Sequence, residues 1–337
     1  LELPASPSRL FAVPNSTVQW VQIAVVAAVG LRWAAQAWLN ALNRRNVEAN
    51  RAAVPEAFRD SVDATTYAKS VDYTLAKSRF GQWEEAWETL VLLALLFCGI
   101  LPWSFNWFES QVGSGTWARA LWLFAVGVGM SIPSIPFEWW SQFRLEERFG
   151  FNTTTLGTWL LDRIKGLGLG ALIGLPLIAL ILRLFQWTGD GWWFWSWAVM
   201  MAFQLLMMVL APKLILPLFN KLTPLEAGAL RERLLKLGER TGFSAKTILV
   251  MDGSKRSRHS NAFFTGFGRA RKIVLFDTLI AQLTEAELEA VLAHEIGHYK
   301  RGHIPKMLVW AALSSLAGFA VIGWLAKQAW LVESFGF

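Results

Sequence analysis

The sequence predicts a mainly α, polytopic membrane protein with a small α+β domain set before its last span. Three observations carry this. The 337 residues are 54% hydrophobic and include 20 Trp and 23 Phe, unlike the composition of a soluble domain. Six apolar runs are long enough to cross a bilayer, which takes about 20 residues. One stretch, Pro217–His303, breaks that pattern and holds all four histidines.

The first run, Val18–Leu42, is interrupted by Arg32 and is expected to face other helices in part. A polar segment, Asn43–Gln82, leads to the second run, Trp83–Trp103. Its early acids Glu84, Glu85 and Glu88 are poor lipid-facing residues. The loop Ser104–Thr116 precedes a third run, Trp117–Trp140, which Pro133 and Pro136 should kink or break. The fourth, Ile164–Phe185, carries Gly166, Gly168, Gly170 and Gly174, small enough for helices to approach closely. The fifth, Trp192–Leu216, opens with Trp192, Trp193, Trp195 and Trp197, which read as an interfacial belt. Cys98, the single cysteine, lies in an apolar run and reads as a small core or lipid-facing residue. The N-terminal residues lack the basic start of a cleavable signal peptide.

Residues 1–216 therefore form a five-span membrane domain and 217–303 a soluble domain. Residues 304–337 form a sixth span and the start of a non-cytoplasmic segment. In the soluble domain, Thr223-Pro224-Leu225-Glu226 predicts a capped helix from Pro224 to Arg240. Strands are predicted at Thr247–Met251, Asn261–Phe267 and Lys272–Phe276, with Gly266 and Gly268 marking the turn between the last two. Thr284 and Glu287 form a second capping box at the head of another helix. The sixth span, Ile304–Trp330, comes directly after it.

Basic residues orient the chain. Seven lie between the first two spans: Arg44, Arg45, Arg51, Arg59, Lys69, Lys77 and Arg79. The next loop, Ser104–Thr116, and the turn Gln186–Gly191 have none. Alternation of this kind places 217–303 on the cytoplasmic side. The net charge of +7 is thus a matter of topology, and no nucleic-acid partner is expected.

The helix after Thr284 contains His294, Glu295 and His298 in the spacing H-E-x-x-H. Residues four apart share a helix face, so both imidazoles can grip one Zn2+. The glutamate can take a proton from the water that such an ion activates. Chance alone gives this pattern in about one such chain in a few hundred. His303 does not fit the extended three-histidine motif: it lies five residues after His298 where that motif needs six. His259 and His303 could support the metal ligands or meet substrate, but surface or structural roles are expected for both.

Four stretches make the chain resemble the type I CAAX prenyl proteases, integral-membrane zinc metalloendopeptidases. They are Glu146–Gly166, Pro217–Gly228, Gly253–Ile280 and His294–Met307, and the similarity runs through nearly the whole chain in order. The resemblance implies spans enclosing an intramembrane chamber and cleavage near the C-terminus of a lipidated or other membrane-associated peptide. It implies one catalytic Zn2+ on His294 and His298, with Glu295 as general base. Asn261, Ala262 and Phe263 would lie on an edge strand that pairs with extended substrate, although plain strand packing also accounts for Ala262 and Phe263. A monomer amid membrane lipid is expected, in the endoplasmic reticulum of a eukaryote or the inner membrane of a bacterium. Alternatives are a quality-control metalloprotease of the same clan and a non-catalytic scaffold.

The family's third zinc ligand is a glutamate on a later helix. After His298 the only acid is Glu333. A helix over Ile304–Trp330 would be about 40 Å long and would carry Glu333 across the bilayer. The third ligand and a seventh span are therefore expected beyond Phe337.

Overall fold

The computed structural model describes residues 14–243, 247–266 and 271–337. In chain order the elements are α1 (Asn15–Ala49), α2 (Ala64–Phe97), α3 (Ile100–Val112), α4 (Thr116–Ser131), α5 (Ile135–Trp140), α6 (Leu156–Trp187), α7 (Trp192–Leu210) and α8 (Leu216–Phe219). They continue with β1 (Leu222–Pro224), α9 (Ala229–Arg240), β2 (Thr247–Met251), β3 (Ala262–Thr265), β4 (Lys272–Phe276), α10 (Asp277–Gln282), α11 (Glu285–Lys300), α12 (His303–Leu325) and α13 (Ala329–Ser334). Among the described residues, five helical stretches are long and apolar enough to span a membrane, and six if the bent pair α2–α3 counts as one. Large apolar side chains such as Leu31, Ile164 and Trp310 point outward, which suits lipid as the surrounding solvent.

The chain divides into two units. One takes residues 14–145, 173–182 and 322–337. In it, α1 packs on α2 and on α13. Arg32 of α1 lies 4.0 Å from Glu85 of α2, so the charge that interrupts the first run pairs with one of the acids that open the second. The second span is not the straight run Trp83–Trp103. Its helix ends at Phe97, Gly99 takes the left-handed conformation at φ 70°, and α3 leaves at an angle of 59°. Ser104–Val112, expected as loop, continues α3. Its half-buried Phe105 and Phe108 give it a packed face: Phe105 meets Trp122 of α4 edge-on at 5.0 Å. The prolines act as expected, since a 3-10 turn at Ile132–Ser134 separates α4 from α5. Trp87 Nε1 donates to the Pro133 carbonyl there at 2.9 Å. The last helix ends earlier than the composition suggests: α12 stops at Leu325, and α13 comes after a short turn.

The other unit takes residues 146–172 and the described part of 183–321. Its sheet has the order β1-β2-β4-β3, with β2 and β4 parallel and both outer pairs antiparallel. Strands β2 and β4 coincide with the sequence expectation. Strand β3 is shorter, and Phe267 and Gly268 of the expected turn lie outside the described residues. The capped helix at Thr223 does not form. Leu222–Pro224 is a strand, Leu225 N–H donates to the Ile248 carbonyl at 2.9 Å, and α9 starts only at Ala229. Pro224 is tolerated because β1 is an edge strand.

The core of this unit joins sheet to helices. Leu234 and Leu237 of α9, Ile248 of β2, Ile273 and Leu275 of β4, and Leu288, Leu292 and Ile296 of α11 are all buried in one cluster. The last three recur every four residues, one stripe of a helix. That stripe fixes which way the rest of α11 faces.

Candidate metal centre

Helix α11 begins with the capping box expected from sequence. Thr284 Oγ1 accepts from Glu287 N–H, and the Glu287 carboxylate accepts from Thr284 N–H at 2.8 Å. Donation from the Thr284 backbone N–H, and next from its hydroxyl at 2.7 Å, holds the exposed Glu287 carboxyl below its ordinary pKa of 4.5. With Leu288, Leu292 and Ile296 turned into the core, the 100° step per residue carries His294 and His298 to the opposite side. Both are exposed, and Glu295 is half-buried between the two faces.

The imidazole rings converge. Nε2 of His294 and Nε2 of His298 lie 3.1 Å apart. Zinc–nitrogen bonds of about 2.05 Å from two such atoms would enclose an angle of about 100°, near the tetrahedral value. The pair therefore fits a zinc ion without rearrangement of the helix. Among the described residues no group of three His, Cys, Asp or Glu is placed to hold a metal. Glu333 lies on α13, in the unit where that helix packs on α1. His303 approaches the other nitrogen of His298: the two Nδ1 atoms are 2.8 Å apart.

Strand β3 is the sheet edge beside this helix, and it contacts α11. The Phe276 N–H donates to the Asn261 carbonyl at 3.1 Å. In an antiparallel ladder that makes Asn261, Phe263 and Thr265 the residues bonded inward to β4. The backbone groups of Ala262 and Phe264 then point to the open edge. The Ala262 N–H is occupied by the Asn261 side chain, whose Oδ1 accepts it at 2.8 Å. The side chain of Ala262 is buried in the core, while Phe263 is half-buried and meets Phe276 edge-on at 6.4 Å. Strand packing thus uses both side chains, leaving backbone as what the edge offers.

A clasp that sequence reasoning missed holds the approach to β3. Arg256 donates to both carboxylate oxygens of Asp162, at 2.7 and 3.0 Å, and to Asn220 Oδ1 at 3.1 Å. The Arg256 carbonyl accepts from Thr154 Oγ1 at 2.8 Å. His259 stacks on Phe151 with ring centres 4.3 Å apart, and its Nε2 lies 3.1 Å from Glu146 Oε2. The stretches around Glu146 and around His259, both singled out in the sequence, are thus bonded to each other. No spacing rule could pair Arg256 with Asp162, which are 94 positions apart.

Residues 43–221 match the profile described as the CAAX prenyl protease N-terminal region of five membrane helices, and residues 224–337 match peptidase family M48. The chain is 34% identical over 295 residues to CAAX prenyl protease 1 of Saccharomyces cerevisiae, covering 84% of this chain and 65% of that protein. It is 35% identical to the Dictyostelium discoideum homologue, covering 86% and 69%. The crystal structure of Saccharomyces mikatae Ste24p superposes with a TM-score of 0.88 at 31% identity, over 94% of this chain and 74% of that one.

Proposed function

The chain belongs to the CAAX prenyl protease family of M48 peptidases, and from that premise we propose that it is a membrane zinc metalloendopeptidase acting on CAAX-type peptides. The observation that carries this is the convergence of the His294 and His298 Nε2 atoms on a helix whose opposite face is locked into the core. In this reading His294 and His298 hold the zinc. The ion supplies Lewis-acid polarisation of the scissile carbonyl and a nucleophile available near neutral pH.

The chain's own residues do the rest. Glu295, next to one ligand and three residues before the other, takes a proton from the attacking water and returns it to the departing amine. The open edge of β3, from Asn261 to Phe263, binds substrate as an added strand. Backbone pairing of that kind reads an extended peptide with little regard to sequence. The Asn261 side chain must leave the Ala262 N–H for a substrate carbonyl to take its place.

The substrate is lipidated near its C-terminus, and the spans enclose the chamber in which it is cut. Residues 217–303 act as the catalytic domain on the cytoplasmic face, of the endoplasmic reticulum in a eukaryote or the inner membrane in a bacterium, and the protein works as a monomer. The regular alternation of basic loops supports that orientation.

The test is a pair of measurements on Glu295→Gln. Zinc content should stay near that of the parent, while hydrolysis of a farnesylated CAAX peptide falls by about 10²–10⁴, the usual contribution of a general base. Near-normal turnover would remove Glu295 from its role. Equal cleavage of farnesylated and unmodified peptides by the parent enzyme would favour a quality-control protease of the same clan.

A further inference from the structure

We propose that His303 is a positioning residue for the zinc site, accepting a hydrogen bond from His298 and so fixing that ligand's tautomer and ring orientation. This rests on the reading of His294 and His298 as ligands. For both to bind one ion, each must present a lone pair at Nε2, where they face each other at 3.1 Å. The proton of neutral His298 then belongs on Nδ1. That atom lies 2.8 Å from Nδ1 of His303. A bond between them requires a lone pair on the His303 side, which puts the His303 proton on its Nε2. The arrangement is therefore a relay of defined direction, from His303 through His298 to the metal position.

The backbone is built to allow it. On one continuous helix, residues five apart face directions about 140° apart and cannot touch. Here α11 ends at Lys300, and Gly302 adopts φ +63° with its N–H on the Tyr299 carbonyl at 2.9 Å. This left-handed step starts α12 at His303 and swings its ring onto His298, with ring centres 4.9 Å apart at 71°. Glycine adopts that conformation at no steric cost, whereas a side chain there is strained. The spacing that disqualifies His303 as a third ligand is what lets it reach the far side of the second. Metal-ligating histidines commonly donate their other N–H to such a partner, and losing the partner costs about 10–100-fold in metal affinity.

The experiment measures zinc affinity of the purified full chain in detergent by competition with a chelator. His303→Ala should weaken zinc binding by about 10–100-fold. His303→Asn, whose Oδ1 can stand where the His303 Nδ1 stands, should recover most of it. Cobalt substituted for zinc should show an altered visible spectrum in the alanine variant and a near-parent one in the asparagine variant. Thermal unfolding of the metal-free proteins should be alike for all three. Zinc affinity within twofold of parent in His303→Ala would overturn the proposal. So would a loss of metal-free stability that asparagine fails to rescue, which would make His303 a packing residue only. His298→Ala is the control for the underlying reading: tight zinc binding in that variant would overturn the ligand assignment itself.

Discussion

Replacing Asp162 with asparagine should loosen the approach to the substrate edge without touching the metal. Asp162 and Arg256 are each 23% exposed at the side chain, between a surface pair and a buried one. Fully exposed ion pairs contribute about 0.2–1 kcal/mol. Breaking a buried pair costs about 3–5 kcal/mol, because one charge is left without a partner. Two charge-assisted bonds at 2.7 and 3.0 Å with intermediate exposure place this pair at about 2 kcal/mol. That corresponds to about a thirtyfold change in a local opening equilibrium. The opening concerns Gly253–His259, which is tied by Arg256 on one side and by Thr153 and Thr154 on the other. Amide hydrogen exchange should therefore rise about thirtyfold for residues 254–260 and remain unchanged in α9. The edge strand begins two residues further on, so KM for a peptide substrate should rise several-fold while zinc content stays constant. A double-mutant cycle with Arg256→Gln giving a coupling below about 0.3 kcal/mol would refute the reasoning, since the pair would then be worth no more than a surface contact.

Removing a ligand should act differently: His294→Ala is expected to lose both metal and hydrolysis, and zinc analysis beside a peptidase assay checks both at once. The capping box gives α11 a pH dependence. Glu287 is held below 4.5 in the folded protein, so its contribution is present above the unfolded value and is lost as the pH falls through the folded one. Stability of α11 measured between pH 6 and 3 should decline less steeply in Glu287→Gln than in the parent. Orientation is tested with cysteine probes in a chain lacking Cys98. Reagents confined to the non-cytoplasmic side should label positions 114 and 189 but not 50 and 236, the last an exposed position of α9, and the reverse pattern would overturn the charge argument.

Much of the membrane architecture is legible in the sequence because hydrocarbon leaves a chain few options. A run of apolar residues in lipid satisfies its backbone groups as helix, so length and hydropathy alone locate most spans. What they do not locate is the elbow at Gly99. A glycine inside an apolar run is common, and nothing local distinguishes one that bends the helix. Its bend depends on partners such as Trp122, which meets Phe105 of α3 edge-on at 5.0 Å. The candidate metal pair is legible for a different reason: a metal imposes its own spacing, and two histidines four apart on a capped helix satisfy it locally. The partner of His298 is not. A five-residue offset is meaningful only once the φ of Gly302 is known.

The two capping boxes show where local reading ends. Thr223 with Glu226 and Thr284 with Glu287 have the same form, and both precede leucine-rich segments. Only the second caps a helix. Each box contributes on the order of 1 kcal/mol, a modest preference that packing can override. At Thr284 packing agrees with it, since Leu288, Leu292 and Ile296 all enter the core from a helix begun there. At Thr223 it does not. As extended chain, residues 222–225 pair with β2, and Leu225 still packs against the core cluster. A helix begun at Pro224 would surrender those ladder bonds and leave the outer edge of β2 bare. An unpaired edge beside β2 would invite pairing with another chain. The short β1, ended by a proline that cannot extend the ladder, closes that edge and leaves β3 as the other. In the proposed enzyme that second edge is the one a substrate needs, so the failure of the first capping box stems from the same sheet that directs peptide toward His294 and His298.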